Sequence, residues 1–136
     1  MTRLIFILSF AYIFTNIYDY TDIPDEYDTF EIADFRIYIP RDIDTLRGIY
    51  AYMHTLGGDS RNIVQDVDMI NLCTASNFGL MGFQLDNMHM DSGIGEALLN
   101  AQLSFADQSG HVELEHAPLY FEGFSWGGQW AYHFTK

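Results

Sequence analysis

Residues 117–134 read APLYFEGFSWGGQWAYHF, and this stretch decides the fold. Its opening, residues 117–121, is a short apolar run of the kind that forms a strand, and residues 126–134 have the character of a helix. Between them lies Gly-x-Ser-x-Gly, centred on Ser125. A strand that reverses into a helix within about one residue forces the residue at the turn into a strained backbone conformation. The stretch therefore predicts a strand, a tight turn at Ser125 and a helix.

The glycines around Ser125 fit this geometry. Side chains two residues before and two residues after the turn would collide, so glycine is needed at Gly123 and Gly127. Gly128 adds a further small residue. Chance matches to Gly-x-Ser-x-Gly are common, and the apolar strand in front of it is what strengthens the prediction. The alternative is that Ser125 is an ordinary helix cap after a strand.

Composition and charge narrow the class of protein. A chain of 136 residues with 49% hydrophobic residues is long and apolar enough for one globular domain. Six basic against nineteen acidic residues give a formal charge of −13, which argues against nucleic acid and anionic membranes as partners. The single Cys73 excludes an internal disulfide and is predicted to be a buried packing residue in a helix, not a nucleophile. No Cys/His spacing indicates a structural zinc site.

The first residues resemble a targeting segment. Arg3 precedes an apolar run over residues 4–11, with Ser9 and Ala11 at small-residue spacing for cleavage. The run is too short to span a bilayer comfortably, so no stable membrane span is expected. Residues 1–22 are predicted to be a signal peptide and lead-in, which implies a secreted or periplasmic protein. An uncleaved lipid-facing anchor and a buried first strand are the alternatives. Residues 19–28, acidic and rich in tyrosine, are predicted to be mobile.

The rest of the chain alternates between strand and helix patterns. Strands are predicted at 29–32, 35–40, 48–53, 77–83 and 117–123, and helices from about 61, from 94 or 95 to 108, and after Ser125. Asp59 or Ser60 is the predicted cap of the first helix, and Gly110 the stop of the second. Two antiparallel strands joined at 33–34, followed by alternating strands and helices, imply an α/β protein with a parallel sheet and crossover helices.

This order of elements resembles the N-terminal half of an α/β-hydrolase fold, with an antiparallel opening hairpin, parallel strands with crossover helices, and an end at the nucleophile-elbow helix. The resemblance covers roughly residues 29–136. More narrowly, residues 47–61, 95–99 and 123–129 are similar to secreted serine esterases of the polyhydroxybutyrate-depolymerase and feruloyl-esterase type. The resemblance implies a partial α/β-hydrolase domain over residues 23–136, truncated after the nucleophile helix.

The resemblance implies roles for particular residues. Ser125 would be the nucleophile that forms an acyl-enzyme, activated by a histidine that a carboxylate holds. The oxyanion would accept one hydrogen bond from the backbone N–H of Trp126, at the start of the helix. The other donor would come from the loop at 54–58, which departs from the His-Gly-Gly-Gly pattern at Thr55 and Leu56 and so leaves open which N–H donates. The N–H of Leu56 is favoured, with that of Thr55 next. His54 is predicted to be a scaffold residue. Alternatively, the glycines of this loop form a plain turn.

The acid and the histidine of a triad are missing. In this fold they follow the serine along the chain. The eleven residues after Ser125 contain no Asp or Glu and one histidine, His133, which lies about 12 Å further along the same helix and cannot reach the serine hydroxyl. His89, His111 and His116 are predicted to be solvated. The chain is therefore expected to be an inactive fragment or a degenerate product.

Three functions follow from these predictions. The first is a serine hydrolase that cleaves small-molecule or polymeric carboxylic esters, with this chain lacking the complete triad. The second is a peptidase of the same fold, because Gly-x-Ser-x-Gly serves peptide and ester bonds alike. The third is a non-catalytic binding module that kept the fold. No metal or organic cofactor is implied. Trp126 and Trp130 are predicted to be core residues and not a substrate platform.

Overall fold

A five-stranded mixed sheet organises the protein, whose computed structural model describes residues 16–89 and 91–134. The strands, in chain order, are β1 (Ile17–Thr21), β2 (Ala33–Tyr38), β3 (Gly48–Met53), β4 (Phe78–Leu85) and β5 (Leu119–Gly123). They lie side by side in the order β1-β2-β4-β3-β5. β2 pairs antiparallel with β1 and β4, whereas β3 pairs parallel with β4 and β5. The carboxyl ends of the three parallel strands therefore share one edge of the sheet.

Two of the three described helices connect the parallel strands, and the third follows β5. They are α1 (Val67–Ser76), α2 (Ile94–Ser109) and α3 (Trp126–Phe134), with short 3-10 segments at Arg61–Gln65 and Val112–His116. The predicted fold class is confirmed: antiparallel opening strands lead to parallel strands with crossover helices, and a strand–turn–helix unit follows at Ser125. An apolar stripe of α2, at the helical spacing i, i+3, i+4, i+7 and i+11, is buried at Ile94, Ala97, Leu98, Ala101 and Phe105. It packs with alternate residues of β2 in the main hydrophobic core.

The first predicted helix is two segments. A 3-10 turn begins at Arg61, and α1 begins only at Val67, after Asp66 takes an extended conformation and accepts hydrogen bonds from the backbone N–H groups of Asp68 and Met69. Of the two predicted caps, Ser60 makes no side-chain cap hydrogen bond, because its hydroxyl bonds to the sheet strands, whereas the Asp59 carboxylate accepts from the backbone N–H of Arg61 at 2.9 Å. Gly110 ends α2 as predicted, in a left-handed conformation with φ +79°.

The opening of the sheet differs from the prediction. Residues 17–21 form β1, the antiparallel partner of β2, so the prediction of a mobile lead-in is wrong for this segment. Residues 29–32 are not a strand, because the backbone N–H groups of Glu31 and Ile32 donate to the carboxylate of Asp86. The signal-peptide prediction falls mainly on residues 1–15, which lie outside the described residues. Within the described part of the chain, no helix is long and apolar enough to cross a membrane.

The two edge strands differ in character. On β1, Asp19 pairs with Arg36 of β2 at 2.7 Å, and the Asp19 carbonyl oxygen accepts a hydrogen bond from the Gln108 side chain at 3.2 Å. On β5, the Tyr120 side chain is 59% exposed and lies against Tyr50 of β3. Charge and a covering helix thus protect the β1 edge, whereas β5 exposes Tyr120 and the carboxylate of Glu122.

Candidate active site at the strand–helix elbow

Ser125 lies at the turn between β5 and α3 with φ +57°, in the left-handed region. Among the described residues, two other non-glycine residues have positive φ values, Asp42 and Asn77, whose short polar side chains tolerate this conformation. Ser125 differs from them because a strand ends two residues before it and a helix begins directly after it. Ser125 is exposed to solvent. The backbone strain predicted from the sequence is therefore present at this serine, at a typical cost of about 1–3 kcal/mol.

The glycines on either side of Ser125 occupy places where a side chain does not fit. A Cβ atom on Gly123 would lie 2.7 Å from the carbonyl carbon of Gly127 and 2.9 Å from the Cβ of Met53. A Cβ atom on Gly127 would lie 2.5 Å from the carbonyl oxygen of His54 and 2.9 Å from that of Met53. Gly128 has more room, with its nearest contact at 3.1 Å to the Gly123 carbonyl oxygen. Glycine at 123 and 127 thus lets α3 sit directly on the end of β3.

The loop after β3 lies beside the elbow. Because Met53 is the register partner of Gly123, the residues that follow each of them emerge at the same edge of the sheet. Thr55 and Leu56 are exposed there, in a turn that the N–H of Gly58 closes on the Thr55 carbonyl at 2.9 Å. Trp126 is the first residue of α3, so its N–H has no acceptor within the helix. The three predicted oxyanion-hole residues are therefore brought to one edge with Ser125, and their roles stay predictions.

His54 anchors the start of this loop. The side chain is 5% exposed, and its Nε2 accepts a hydrogen bond from the backbone N–H of Leu85 at 2.9 Å. Because Nε2 is an acceptor, the proton is on Nδ1, which donates to the Thr55 carbonyl. With both ring nitrogens engaged by backbone groups, His54 cannot take a proton from Ser125, in keeping with the scaffold role predicted for it.

Ser60 anchors the end of the same loop. Its Oγ donates to the Tyr52 carbonyl at 2.7 Å and accepts from the Phe83 N–H at 2.9 Å, while its own N–H donates to the Phe83 carbonyl. Arg61 follows and forms ion pairs with Asp59 and Asp34. The guanidinium of Arg61, which hydrogen-bonds the Asp59 carboxylate, lowers the pKa of that group. The predicted oxyanion loop is therefore fixed to β3 and β4 at both ends.

A groove that the sequence did not reveal lies between α3 and the loop that joins β4 to α2. It has a volume of about 390 Å³ and separates the β4–α2 loop from one face of α3. We call it the indole groove; its lining residues are Met88, His89 and Asp91 of the loop and Trp126, Gln129, Trp130 and His133 of the helix. His89, predicted to be solvated, is exposed but also meets Trp126 edge to face at 5.7 Å between ring centroids. No sequence signal links a loop and a helix some forty residues apart.

Cys73 is not a competing nucleophile. It lies in α1 with 2% exposure, as the sequence predicted, and burial raises the pKa of its thiol to about 11. Nucleophilic cysteines have lowered pKa values and partial exposure, because the thiolate is the reactive form. Among the described residues, no cluster of three His, Cys, Asp or Glu side chains has the geometry to hold a metal ion.

The raised pKa of Cys73 predicts an alkaline loss of stability. The thiol stays protonated to about pH 11 in the folded chain but ionises near pH 9 when unfolded, so the unfolded state loses protons first and stability falls between these values. Urea unfolding of the protein and of Cys73→Ala from pH 7 to 10.5 measures this loss of stability. The stability advantage of the protein over Cys73→Ala should shrink by on the order of 2 kcal/mol. An advantage that is constant with pH would contradict the buried thiol.

Comparison with known proteins shows a likeness to a solved structure. No protein-family model matches the chain, and no curated protein matches it. Among solved structures, it is similar to an esterase from Pyrobaculum calidifontis, with 22% sequence identity and a TM-score of 0.48. The alignment covers 85% of this chain and 37% of the esterase, so the chain spans little more than a third of that protein's length.

Proposed function

We propose that the chain carries the nucleophile half of a serine hydrolase that cleaves carboxylic esters. The observation that carries this proposal is the conformation of Ser125, an exposed serine held at φ +57° between a strand and a helix. A strained residue persists only where its surroundings hold it, and such residues cluster at active sites. The glycines at 123 and 127, which leave no room for a side chain, supply that restraint.

The proposed chemistry is acyl transfer. Ser125 Oγ attacks the ester carbonyl, its proton passes to a base, and the C–O bond to the alcohol breaks as the alcohol takes that proton. Water then hydrolyses the acyl-enzyme and regenerates the serine. The N–H of Trp126 and that of Leu56, or of Thr55, would stabilise the oxyanion. The roles of base and acid are assigned to no residue here, because His54 is fully engaged and His133 lies two turns along α3.

Two measurements test the proposal. We expect the 136-residue polypeptide to show no triad-dependent hydrolysis of p-nitrophenyl butyrate, because a serine without its base is a weak nucleophile. An oxyanion hole alone still gives residual catalysis. A fluorophosphonate probe at high concentration should therefore label Ser125 in preference to the other serines, as located by mass spectrometry. Ser125→Ala should remove this label, and Ser104→Ala, a partly exposed serine of α2, should retain it.

Each outcome tests a different part of the proposed function. Fast ester turnover that Ser125→Ala abolishes would overturn the expected inactivity and would require a base within the chain. Equal labelling of Ser104 and Ser125 would overturn the nucleophile assignment and favour a non-catalytic module with the same fold.

A further inference from the structure

Loops cover the edge of the sheet that carries the strand–helix elbow. β1, β3, β4 and β5 all end at this edge and β2 begins there, so the connections between them lie over it. Two contacts join these loops: the backbone N–H of Thr29 donates to the Ser92 carbonyl at 3.0 Å, and His89 meets Trp126 edge to face. We call the resulting continuous surface the elbow-edge surface; it comprises residues 22–32, 54–60, 86–89, 91–93 and 124–125.

Large apolar side chains of the elbow-edge surface lie in solvent. They are Ile23 at 83% exposure, Tyr27 at 81%, Phe124 at 76% and Leu56 at 64%. A single exposed apolar side chain is ordinary, but a group of them on one end of a protein marks an interaction surface. The edge of the five-stranded sheet is about 19 Å wide, because neighbouring strands are about 4.8 Å apart. The exposed side chains are therefore spread over a surface large enough for a polypeptide partner.

Carboxylates lie among these apolar side chains. The loops of the elbow-edge surface contain no lysine or arginine, and their acidic residues are Asp22, Asp25, Glu26, Asp28, Glu31, Asp59, Asp86 and Asp91. Within the described part of the chain, only Asp59 of this set forms an ion pair, with Arg61 at 2.8 Å. The whole chain has a formal charge of −13. The surface is therefore negative as well as apolar, and it attracts a partner with positive charge.

Charge and geometry together select one class of partner. A nucleic acid, an anionic membrane or a second copy of this chain would bring further negative charge to the surface. A neutral lipid layer would have to desolvate the carboxylates beside Ile23 and Tyr27. Loops at strand ends offer no strand edge, so an extended segment gains no ladder of backbone hydrogen bonds here. A helix satisfies its own backbone groups and spans 19 Å in about 13 residues.

We propose that the elbow-edge surface binds a basic amphipathic helix of another polypeptide, about three to four turns long. The apolar stripe of that helix packs on the four exposed side chains, and its lysine or arginine residues pair with carboxylates that include Glu26 and Asp91. Because Phe124 directly precedes Ser125, the bound helix lies over the elbow. The binding requires no chemistry at Ser125, so it is independent of the proposed hydrolase.

Fluorescence anisotropy of a labelled peptide tests the surface. The probe is a lysine–leucine peptide of about 15 residues with leucine at i, i+3, i+4 and i+7, so that it forms a basic amphipathic helix. We expect it to bind the full 136-residue chain saturably. The same composition with leucines dispersed around the helix should bind at least tenfold more weakly, because it lacks an apolar stripe. A glutamate–leucine peptide with the original pattern should also bind at least tenfold more weakly, because its charge is repelled.

Paired substitutions locate the binding on the molecule. Phe124→Ser should weaken peptide binding about tenfold, the effect of one aromatic side chain that is no longer buried. Val112→Ser is the matched control, because Val112 is 72% exposed but lies before β5, at the opposite edge of the sheet, and it should leave binding unchanged. Glu26→Gln should weaken binding about threefold, the effect of one exposed ion pair. Glu115→Gln, an exposed carboxylate at the opposite edge, should not weaken it.

Four results would overturn the proposal. The first two are no saturable binding of the amphipathic peptide and equal binding of the dispersed one. The third is an effect of Phe124→Ser no larger than that of Val112→Ser, and Glu26→Gln against Glu115→Gln repeats this comparison if Phe124→Ser fails to fold. The fourth is adsorption to neutral phosphatidylcholine vesicles that is tighter than peptide binding and depends on Phe124, which would make the surface a lipid-binding one. Ser125→Ala should bind the peptide as the unaltered chain does.

Discussion

Replacement of Gly127 by alanine should destabilise the protein by about 3 kcal/mol or more, because the new methyl group meets backbone atoms that cannot move aside. The Cβ of an alanine at position 127 would lie 2.5 Å from the His54 carbonyl oxygen and 2.9 Å from the Met53 carbonyl oxygen. Relief of this overlap requires α3 to lift from the end of β3, which separates the elbow from the loop at 54–58. Urea unfolding followed by circular dichroism measures the loss.

Gly95→Ala is the matched control. Gly95 lies in the first turn of α2, and a Cβ atom there would meet its nearest neighbour, the Phe134 ring, at an ordinary distance of 3.6 Å. The same substitution in a helix without a clash gains about 0.5–1 kcal/mol. The two variants should therefore move stability in opposite directions. Equal stability of Gly127→Ala and the unaltered protein would mean that α3 does not sit on β3 as described.

Replacement of Gly82 by alanine should have a comparably large effect at the other end of the predicted oxyanion loop. A Cβ atom on Gly82 would overlap the carbonyl oxygen of Ser60 and lie 2.9 Å from the Cα of Arg61. Both are backbone atoms of the turn that Ser60 fixes to β4 with two hydrogen bonds. We expect a loss of about 3 kcal/mol, because the turn must leave the strand and leave buried polar groups unpaired.

Gly79→Ala on the same strand provides the comparison. Its Cβ would meet the Cδ1 atom of Ile37 at 3.0 Å, and the end of a side chain can rotate away from such a contact. The loss for Gly79→Ala should stay near 1 kcal/mol. Amide hydrogen exchange at Phe83 adds a local readout, because its N–H donates to Ser60 Oγ. Faster exchange at Phe83 in Gly82→Ala but not in Gly79→Ala is expected; equal rates in the two would contradict the described packing.

The elbow could be predicted from the sequence because its determinants are local. The strand, the serine, the two glycines and the helix follow one another within eighteen residues, so steric reasoning on neighbouring positions reaches the geometry found at Ser125. The stripe of α2 and the stop at Gly110 were accessible for the same reason. What the sequence leaves open at this site is which loop N–H faces the oxyanion, since that depends on how the turn at 55–58 is oriented.

Features that depend on distant partners could not be predicted. β1 is short and polar, and its place in the sheet depends on pairing with β2 and on cover from α2. Residues 29–32 alternate like a strand, but their N–H groups bond to the Asp86 carboxylate more than fifty residues away. The indole groove likewise requires the β4–α2 loop to fold against α3. In each case the local structure depends on a contact with residues far along the sequence, and the local alternation of apolar and polar residues does not predict it.

The difference between the two edges of the sheet has a consequence for self-association. A strand edge is a template for another chain, and among the described residues β1 is protected by an ion pair and by α2, whereas β5 has only the charge of Glu122 to resist that use. A molecule with two permissive edges can add copies without limit and form a fibre. A molecule with a single permissive edge can only meet the same edge of a second copy, and such a two-fold contact closes at a dimer. For residues 16–89 and 91–134 taken alone, edge-to-edge contact of this sheet is therefore expected at β5 and closes at pairs.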